Sequence, residues 1–282
     1  MYKYVKKLAG KLFRILSKKA VIKAAREDPD FFEIWELSFK VFPELKDHFV
    51  GAELEEEAAL RVRALICAET LFLTIVIDGL RKQGVPVGSY VDIGDSDGSV
   101  RILLQKSMDN FNLETLGINL QNAAVLRMKQ KGLTAQCMDA MQLSNAGKRF
   151  DVVSVFETLE HLPNPIGFLE SLQNIVKQRL VISVPLLVKS RVKLAYLESN
   201  WPNDKVPTIE NIHIFELSPQ DWEKIFLHTG WKIEMQKEFR HFPSRGLLNL
   251  VMTQSWRTLS FEGFWLVSLK KDDTFRRRYK IE

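Results

Sequence analysis

Cysteine is scarce in this sequence, with two among 282 residues, and no Cys-x-x-Cys pair is present. A disulfide scaffold and the usual zinc-ribbon and thioredoxin motifs are therefore excluded, and a reducing, cytoplasmic setting is expected. Long hydrophobic runs are missing as well, because one of the longest, Leu71 to Ile77, is interrupted at Thr74 and is far shorter than the roughly 20 residues that span a bilayer. With 46% hydrophobic and 27% charged residues, the composition predicts a globular chain of one large domain or two small ones.

Acidic residues are absent from positions 1–26, which hold nine of the 40 Lys and Arg residues. The net charge of +5 therefore comes from the ends of the chain, which argues against a nucleic acid as the substrate. Apolar residues recur at helical spacing among these bases, so residues 1–26 are predicted to form a basic amphipathic helix. Two interpretations of this helix stay open: packing against the body of the protein, and reversible peripheral contact with an anionic membrane.

Residues 1–85 are predicted to form a helical N-terminal extension, whose longest helix runs from Ala52 to Arg81 and is followed by a break at Gly84. Short β-branched runs then alternate with helical windows, which is the pattern of parallel strands joined by crossover helices. The predicted strands are Tyr90–Ile93, Thr115–Asn119, Ala135–Met138, Asp151–Phe156, Arg179–Val184, Trp231–Phe239 and Gly263–Lys270. The predicted helices among them include Ser99–Lys106, Leu120–Lys131, Pro165–Lys177 and Asp221–His228. Residues 86–282 are thus predicted to be one α/β domain, a doubly wound, mostly parallel seven-stranded Rossmann-like sheet.

The turn after the first predicted strand contains two glycines and three acids, in the order Asp92-Ile93-Gly94-Asp95-Ser96-Asp97-Gly98. Ligands of such sheets bind beyond the carboxyl ends of the strands, and Gly94 and Gly98 would let the backbone come close to one. The turn is not a dinucleotide fingerprint, because serine stands at positions 96 and 99, where that motif requires glycine. Asp95 and Asp97 would repel a pyrophosphate, so the turn favours a ligand that carries positive charge.

Further motifs accompany the later predicted strands in a fixed order. They are Asp139-Ala140 after the third strand, Phe150-Asp151-Val152-Val153 at the start of the fourth, Glu157-Thr158-Leu159-Glu160-His161-Leu162-Pro163-Asn164-Pro165 after it, and Val181-Ile182-Ser183-Val184-Pro185 as the fifth. Together with the first turn, they make residues 86–240 resemble the class I S-adenosylmethionine-dependent methyltransferases, and among these the methyltransferase type 11 and ubiquinone-pathway O-methyltransferases. The resemblance implies an enzyme of this class with S-adenosyl-L-methionine as its cofactor.

The resemblance also implies which residues bind the cofactor. The full set is Asp92, Gly94, Asp95, Ser96, Gly98, Asn119, Leu120, Asp139, Ala140, Met141 and Glu157. Asp92 and the two glycines would border the methionine part. Asp139 would accept a hydrogen bond from the adenine amino group, and Met141 would pack on the adenine face.

One position departs from the family pattern. The family usually has Asp or Glu at the end of the second strand, where the carboxylate binds both ribose hydroxyls, and this chain has Asn119. An amide keeps an acceptor and a donor but loses the charge-assisted part of the interaction, which implies weaker cofactor binding. The alternative is that Asn119 is an ordinary residue of a strand-end turn.

A second constellation follows the fourth strand as Glu157-x-x-Glu160-His161, and His213 comes later in the chain. A helical turn would bring the two carboxylates and the imidazole together near the transferable methyl group. The arrangement resembles the metal-dependent small-RNA 2′-O-methyltransferases and the ubiquinone-pathway enzymes. It implies a metal site made of Glu157, Glu160, His161 and His213 that suits Mg²⁺ or Mn²⁺, with zinc and iron as open alternatives. Two alternatives stay open: a metal-free catalytic role of His161 and Glu160 in binding or deprotonating the acceptor, and a purely structural role.

Two inserts are longer than crossover connections need, at about residues 186–217 and 241–262, and both contain arginines and aromatic residues. They would form the wall for a planar, anionic or sugar-like acceptor, or else their arginines are solvated and their aromatic rings lie in the core. The predicted function is O-methylation of a small molecule or of a glycan or lipid-linked intermediate. The alternatives are a metal-dependent RNA 2′-O-methyltransferase and a non-catalytic interaction module, and the oligomeric state is left open.

Overall fold

The computed structural model describes residues 15–45, 56–109, 112–145, 147–192, 213–259 and 263–279. Its helices are α1 (residues 15–25), α2 (Pro29–Val41), α3 (Glu56–Lys82), α4 (Ser99–Ser107), α5 (Asn122–Gln130), α6 (Met141–Asn145), α7 (Pro165–Leu172), α8 (Pro219–His228) and α9 (Leu247–Leu259). Its strands are β1 (Ser89–Ile93), β2 (Glu114–Asn119), β3 (Ala135–Cys137), β4 (Phe150–Phe156), β5 (Val176–Leu186), β6 (Arg191–Val192), β7 (Phe215–Glu216), β8 (Trp231–Phe239) and β9 (Gly263–Lys271). Single 3-10 turns cover Leu159–His161 and Arg276–Tyr279.

Seven strands form one sheet in the order β3-β2-β1-β4-β5-β9-β8, and β6 pairs with β7 in a separate ribbon. The first five strands of this order are parallel, whereas β9 runs antiparallel to both of its neighbours. The chain leaves β1 towards β2 on one side and returns to β4 on the other side. A crevice therefore opens at the carboxyl ends of β1 and β4, where ligands bind in sheets of this kind. The predicted fold class is confirmed.

The predicted strands agree with the observed ones within one or two residues, except that β5 is longer at its start. The helix predicted at Pro165–Lys177 is wrong at its C-terminal end, because α7 stops at Leu172 and β5 begins at Val176. The carbonyl of the buried Ile175 accepts the N–H of Phe150 at 2.9 Å, which draws this segment into the sheet. The β-branched side chains of Ile175 and Val176 fit this extended backbone better than a helix.

Helices cover both faces of the sheet. On one face, Phe72 of α3 belongs to the same buried cluster as Tyr90 of β1 and Val152 of β4. On the other face, Trp222 of α8 is buried in a cluster with Val267 of β9. Parallel strands that are covered on both sides are hydrophobic along most of their length, which is why the sequence shows apolar runs there. The helices before β1 and the sheet therefore share one hydrophobic core.

The N-terminal helices have identifiable boundaries. Asp28 caps α2, because its Oδ1 accepts the N–H groups of Asp30 and Phe31 at 3.1 and 3.2 Å, and Pro29 opens the helix. The C-terminal part of the helix predicted over residues 1–26 is present as α1, and its first 14 residues lie outside the described part of the chain. Among the described residues, no helix has the length and apolar content that crossing a membrane requires.

The two predicted inserts are described to different extents. Within the first, β6 and β7 form the short ribbon, and residues 193–212 lie outside the described ranges. The second contains α9, which packs against α1 through a small cluster that holds Ala20, Phe242 and Met252. Leu16 and Leu248 pack against this cluster and are partly buried.

Candidate active site

The turn after β1 and the turn after β4 pack against each other at the carboxyl edge of the sheet. Gly94 has a φ of +91°, and its N–H donates to the carbonyl of Ile118 at 2.8 Å. A Cβ atom on Gly94 would lie 2.1 Å from Oγ1 of Thr158, which itself donates to the carbonyl of Phe156 at 2.8 Å. The backbone conformation and the close approach to Thr158 therefore both require glycine.

Two acids of the first turn, Asp95 and Asp97, form ion pairs with basic residues of the protein itself. Asp95 accepts the N–H of Gly98 at 2.6 Å through Oδ1, and its Oδ2 forms a buried ion pair with Nε of Arg101 at 2.7 Å. Asp97 pairs with Nζ of Lys131 at 2.8 Å. The protein's own cations neutralise both carboxylates, and the preference of this turn for a positively charged ligand stays a prediction. Their side chains shape the turn, and a contact of Asp95 with the cofactor stays a prediction.

Asn119 ties the end of β2 to the turn after β1. Its Nδ2 donates to the carbonyl of Asp95 at 3.0 Å, and its Oδ1 accepts the N–H of Gln121 at 2.8 Å. The neighbouring carbonyl of Ser96 accepts a hydrogen bond from Nη2 of Arg127 at 3.1 Å. These contacts favour the turn role that the sequence left open for Asn119, and its contact with ribose stays a prediction.

Apolar side chains are exposed just beyond β2 and β3. Leu120 follows β2, Met141 begins α6, and both are exposed, whereas Ala140 is buried. Asp139 accepts the N–H of Met141 at 2.9 Å and so fixes the start of α6. Sγ of Cys137 lies 3.4 Å from the carbonyl of Leu120, which joins the two strand ends. This edge therefore offers apolar surface beside a carboxylate.

Asp92 lies in a buried hydrogen-bonded network between β1 and β4. It accepts a hydrogen bond from Oγ of Ser154 at 2.6 Å, and this hydroxyl is 2.7 Å from the hydroxyl of Tyr90. Burial raises the pKa of Asp92 well above its ordinary value, and the nearby carboxylate of Asp95 raises it further. A contact of Asp92 with the methionine part of the cofactor stays a prediction.

Glu157 follows β4 with a φ of +43°, and it is the one non-glycine residue with positive φ in the described ranges. Its N–H donates to both the carbonyl and the Oγ of Ser183, each at 3.1 Å. Oγ of Ser183 in turn donates to Oε1 of the buried Glu69 at 2.6 Å. Glu69 belongs to α3, so this helix helps to hold a backbone conformation that costs about 1–2 kcal/mol.

Glu69 was not among the site residues predicted from the sequence. An acid within a predicted helix usually marks its solvent-exposed face, and no motif singles this residue out. The neighbouring residues do hint at its burial, because Glu69 is the one charged residue between Arg63 and Asp78. An isolated acid in an apolar helix is a candidate for a buried partner.

Three of the four predicted metal ligands converge after β4. One ligand atom each from Glu160, His161 and His213 lie within 4.8 Å of one another, and Glu157 is not part of this group. The rings of His161 and His213 are nearly perpendicular, with centroids 4.6 Å apart. Both carboxylate oxygens of the buried Glu160 lack a hydrogen-bond partner among the described residues. A buried carboxyl group without a hydrogen-bond partner is costly, and the ligand site predicted here stays a prediction.

Backbone and side-chain contacts join the two segments of this group. The N–H of Ile214 donates to the carbonyl of Glu160 at 2.6 Å. This hydrogen bond places His213, the residue before Ile214, beside the 3-10 turn. Nδ1 of His213 is 2.9 Å from Oε1 of Glu216, and Oε2 of Glu216 pairs with Arg191 across the β6–β7 ribbon. Arg191 is therefore an internal partner of Glu216, a role that neither of the two interpretations of the insert arginines included.

Burial controls the protonation of the two glutamates after β4. It raises the pKa of Glu160 to about 7, against the opposing effect of His213. It also raises the pKa of Glu157 well above its ordinary value, and the carboxylates of Glu160 and Glu69 add to that increase. A ligand that brings positive charge or hydrogen-bond donors to these oxygens would restore their ionised forms.

Comparison with known proteins identifies the family. A family profile described as "Methyltransferase domain" matches residues 61–236. The chain belongs to this methyltransferase family. It is an S-adenosylmethionine-dependent methyltransferase of class I. No curated protein matches this methyltransferase in sequence.

Solved structures show the same fold at low sequence identity. The O-methyltransferase from the trans-AT PKS multienzyme of Brevibacillus brevis, in complex with S-adenosyl-L-homocysteine, is 14% identical over 78% of this chain and 76% of its own, with a TM-score of 0.51. A candidate sarcosine dimethylglycine methyltransferase from Galdieria sulphuraria is also 14% identical, over 85% of this chain and 97% of its own, with a TM-score of 0.53.

The buried acids of this methyltransferase should make its stability depend on pH. Burial raises the pKa of Glu69 to about 8, and Asp92 and Glu160 raise it further, against the hydrogen bond from Ser183. A raised pKa in the folded state favours folding below the unfolded value of 4.5, and this contribution is lost as the pH rises through about 8. We expect the free energy of unfolding to fall by roughly 2–3 kcal/mol between about pH 6.5 and pH 8.5.

Urea unfolding at the two pH values measures this change. The neutral variant Glu69→Gln should lose much of the pH dependence, whereas Glu223→Gln, on the exposed surface of α8, should retain it. Burial lowers the pKa of His241, so this residue makes the free energy of unfolding rise with pH below its ordinary pKa of 6.5. The interval from pH 6.5 to pH 8.5 lies above that range. If the free energy of unfolding falls equally with pH in Glu69→Gln and in the unmodified protein, the expectation is contradicted.

Proposed function

We propose that this methyltransferase transfers the methyl group of S-adenosyl-L-methionine to an oxygen atom of a small-molecule acceptor, a class that includes glycans and lipid-linked intermediates. The observation that carries the proposal is the convergence of Glu160, His161 and His213 at the carboxyl end of β4. Transfer from a sulfonium needs donor, methyl group and acceptor oxygen in line, and the hydroxyl must also lose a proton. An imidazole beside a buried carboxyl group is suited to take that proton.

The cofactor would lie across the crevice between β1 and β4. The turn from Gly94 to Gly98 would border its methionine part, and the exposed side chains of Leu120 and Met141 would supply apolar contact for the adenine ring. Asp139 would accept a hydrogen bond from the adenine amino group. The bound S-adenosyl-L-homocysteine of the Brevibacillus brevis enzyme supports a cofactor site in this fold.

His161 would act on the acceptor hydroxyl. Its Nε2 lies 3.9 Å from Oε1 of Glu160, which is too far for a hydrogen bond but close enough to stabilise an imidazolium. His213 would orient the acceptor or the ring of His161, because its own Nδ1 is held by Glu216. Glu160 would thus support the charge that His161 acquires when it removes the proton.

A second candidate is a metal-assisted version of the same reaction. The carboxylate of Glu160 and the nearby imidazoles of His161 and His213 would hold a divalent cation. Mn²⁺ suits this mixture of ligands better than Mg²⁺, which prefers oxygen, and zinc and iron also fit it. When bound, such a metal would lower the pKa of the acceptor hydroxyl. An RNA 2′-hydroxyl is the alternative acceptor for this version, since the motif resembles that of the small-RNA enzymes.

Two measurements test the proposal. Isothermal titration with S-adenosyl-L-homocysteine should give a saturable heat, and its absence at millimolar ligand would contradict cofactor binding. Radiolabelled S-adenosyl-L-methionine is then offered with phenols, catechols, sugars, amines and short RNA duplexes. Label on a phenol, catechol or sugar is expected. Label only on amines would contradict oxygen as the acceptor atom, and label only on RNA would favour the alternative substrate.

A further inference from the structure

Apolar side chains project from one corner of the molecule, where α1 and α9 meet. Leu247 and Leu250 of α9 are 77% and 68% exposed, and Ile15 of α1 is 46% exposed. The two leucines are three positions apart and therefore share one face of their helix. Apolar residues grouped in this way on a surface mark a contact with a partner.

The opposite side of α9 is fixed to the body of the protein. Leu248 and Met252 pack in the small cluster that also contains Ala20 of α1. The N–H of Ser244 donates to Oε2 of Glu27 at 2.8 Å, which joins the start of the second insert to the end of α1. Leu247 and Leu250 are thus held outward on a helix whose other face is buried.

Positive charge surrounds the same corner. Lys19, Lys23 and Arg26 are exposed on or directly after α1, against one exposed acid, Glu27, at its end, and Lys18 pairs with Glu56. Arg245 is exposed two positions before Leu247. A surface that combines exposed leucines with unbalanced basic residues complements a bilayer with negative headgroups, because the apolar side chains enter the interface while the cations remain with the headgroups.

We propose that the α1–α9 corner, defined by Ile15, Lys19, Lys23, Leu247 and Leu250, docks the protein on the surface of an anionic bilayer. The docking is peripheral, because the apolar contribution comes from a few side chains and the remainder is electrostatic. It is independent of the identity of the methyl acceptor. It would place the enzyme where a lipid-linked or otherwise membrane-embedded acceptor is presented.

Sedimentation of the full-length protein with vesicles tests this docking. The vesicles contain phosphatidylcholine with about 30% phosphatidylserine, and a second set contains phosphatidylcholine alone. The protein should sediment with the anionic set at about 50 mM NaCl and lose at least roughly tenfold in partition coefficient at about 500 mM. Failure to sediment at low salt, or equal binding to both sets, would overturn the proposal.

Surface variants separate the apolar contribution to vesicle binding from the electrostatic one. L247S/L250S should bind anionic vesicles at least about tenfold more weakly, and K19S/K23S should lose most of its salt dependence. The matched control is L126S/I166S, which removes two other apolar side chains that are each 50% exposed. Thermal melting and titration with S-adenosyl-L-homocysteine establish that each variant is folded. A control that loses as much binding as L247S/L250S, or a wild-type protein that sediments by self-association without vesicles, would overturn the assignment.

Discussion

Replacing His161 with alanine should lower turnover about 100-fold or more and leave the affinity for S-adenosyl-L-homocysteine nearly unchanged. The reason is position: His161 ends the 3-10 turn that follows β4, beside His213 and the unpartnered carboxyl group of Glu160. A group there is predicted to act on the acceptor, whereas the predicted cofactor contacts lie mainly at the ends of β1, β2 and β3. Radiolabel transfer measures the turnover, and isothermal titration measures the affinity.

Comparison among histidine variants distinguishes the mechanisms. If a metal is shared, His161→Ala, His213→Ala and the double variant should be similarly inactive, and a chelator should abolish wild-type activity until Mn²⁺ or Mg²⁺ is restored. If His161 is a base, activity should resist the chelator and His213→Ala should retain more of it. His228→Ala serves as the control, because His228 is exposed on α8, away from this group. Full activity of His161→Ala would contradict both versions.

Replacing Gly94 with alanine or valine should weaken the binding of S-adenosyl-L-homocysteine by roughly 100-fold or more. A side chain at this position must adopt a φ of +91°, which costs about 1–2 kcal/mol, and its Cβ would also collide with Oγ1 of Thr158. Relief of the collision moves the turn after β1 away from the turn after β4. The two sides of the cofactor crevice would then separate, and Glu157 would shift with its neighbour Thr158.

Gly84 provides a matched control for backbone strain alone. It also has a positive φ, +75°, but an added Cβ would meet no atom within 4 Å. Gly84→Ala should therefore lower the melting temperature slightly and leave the cofactor titration unchanged. If Gly94→Ala binds S-adenosyl-L-homocysteine at the wild-type level, the contact between the two turns is not needed for binding. If Gly94→Ala and Gly84→Ala lose affinity equally, the loss comes from lower stability of the fold.

The sheet could be predicted from the sequence because its strands are buried on both faces. Strands that are buried on both faces leave mostly apolar runs, as in Val152–Phe156, where Ser154 is the one polar residue. Such a run locates the ends of a strand to within a residue or two. The end of α7 could not be predicted in this way. Whether the chain after Leu172 continues the helix or turns into a strand depends on the hydrogen bond from Phe150 to Ile175, and Phe150 is 25 positions earlier in the chain.

The site was only partly predictable from the sequence, because its contacts also join residues that are far apart in the chain. Sequence order places Glu160 and His161 after a strand, so their location follows from the fold, and the resemblance supplied His213. The direction of a side chain does not follow from order. Asp95 and Asp97 look like ligand groups in the sequence, yet their partners, Arg101 and Lys131, are set by how α4 and α5 pack around the turn.

The link from Glu69 through Ser183 to the backbone of Glu157 limits how this enzyme could have diversified. In a modular protein, a helical extension can be exchanged or lost while the catalytic unit persists. Here α3 supplies both part of the core and a buried hydrogen bond that supports a strained residue at the site. A descendant without α3 would need a new cover for this face of the sheet and a new acceptor for Ser183, so α3 and the sheet are expected to be inherited together.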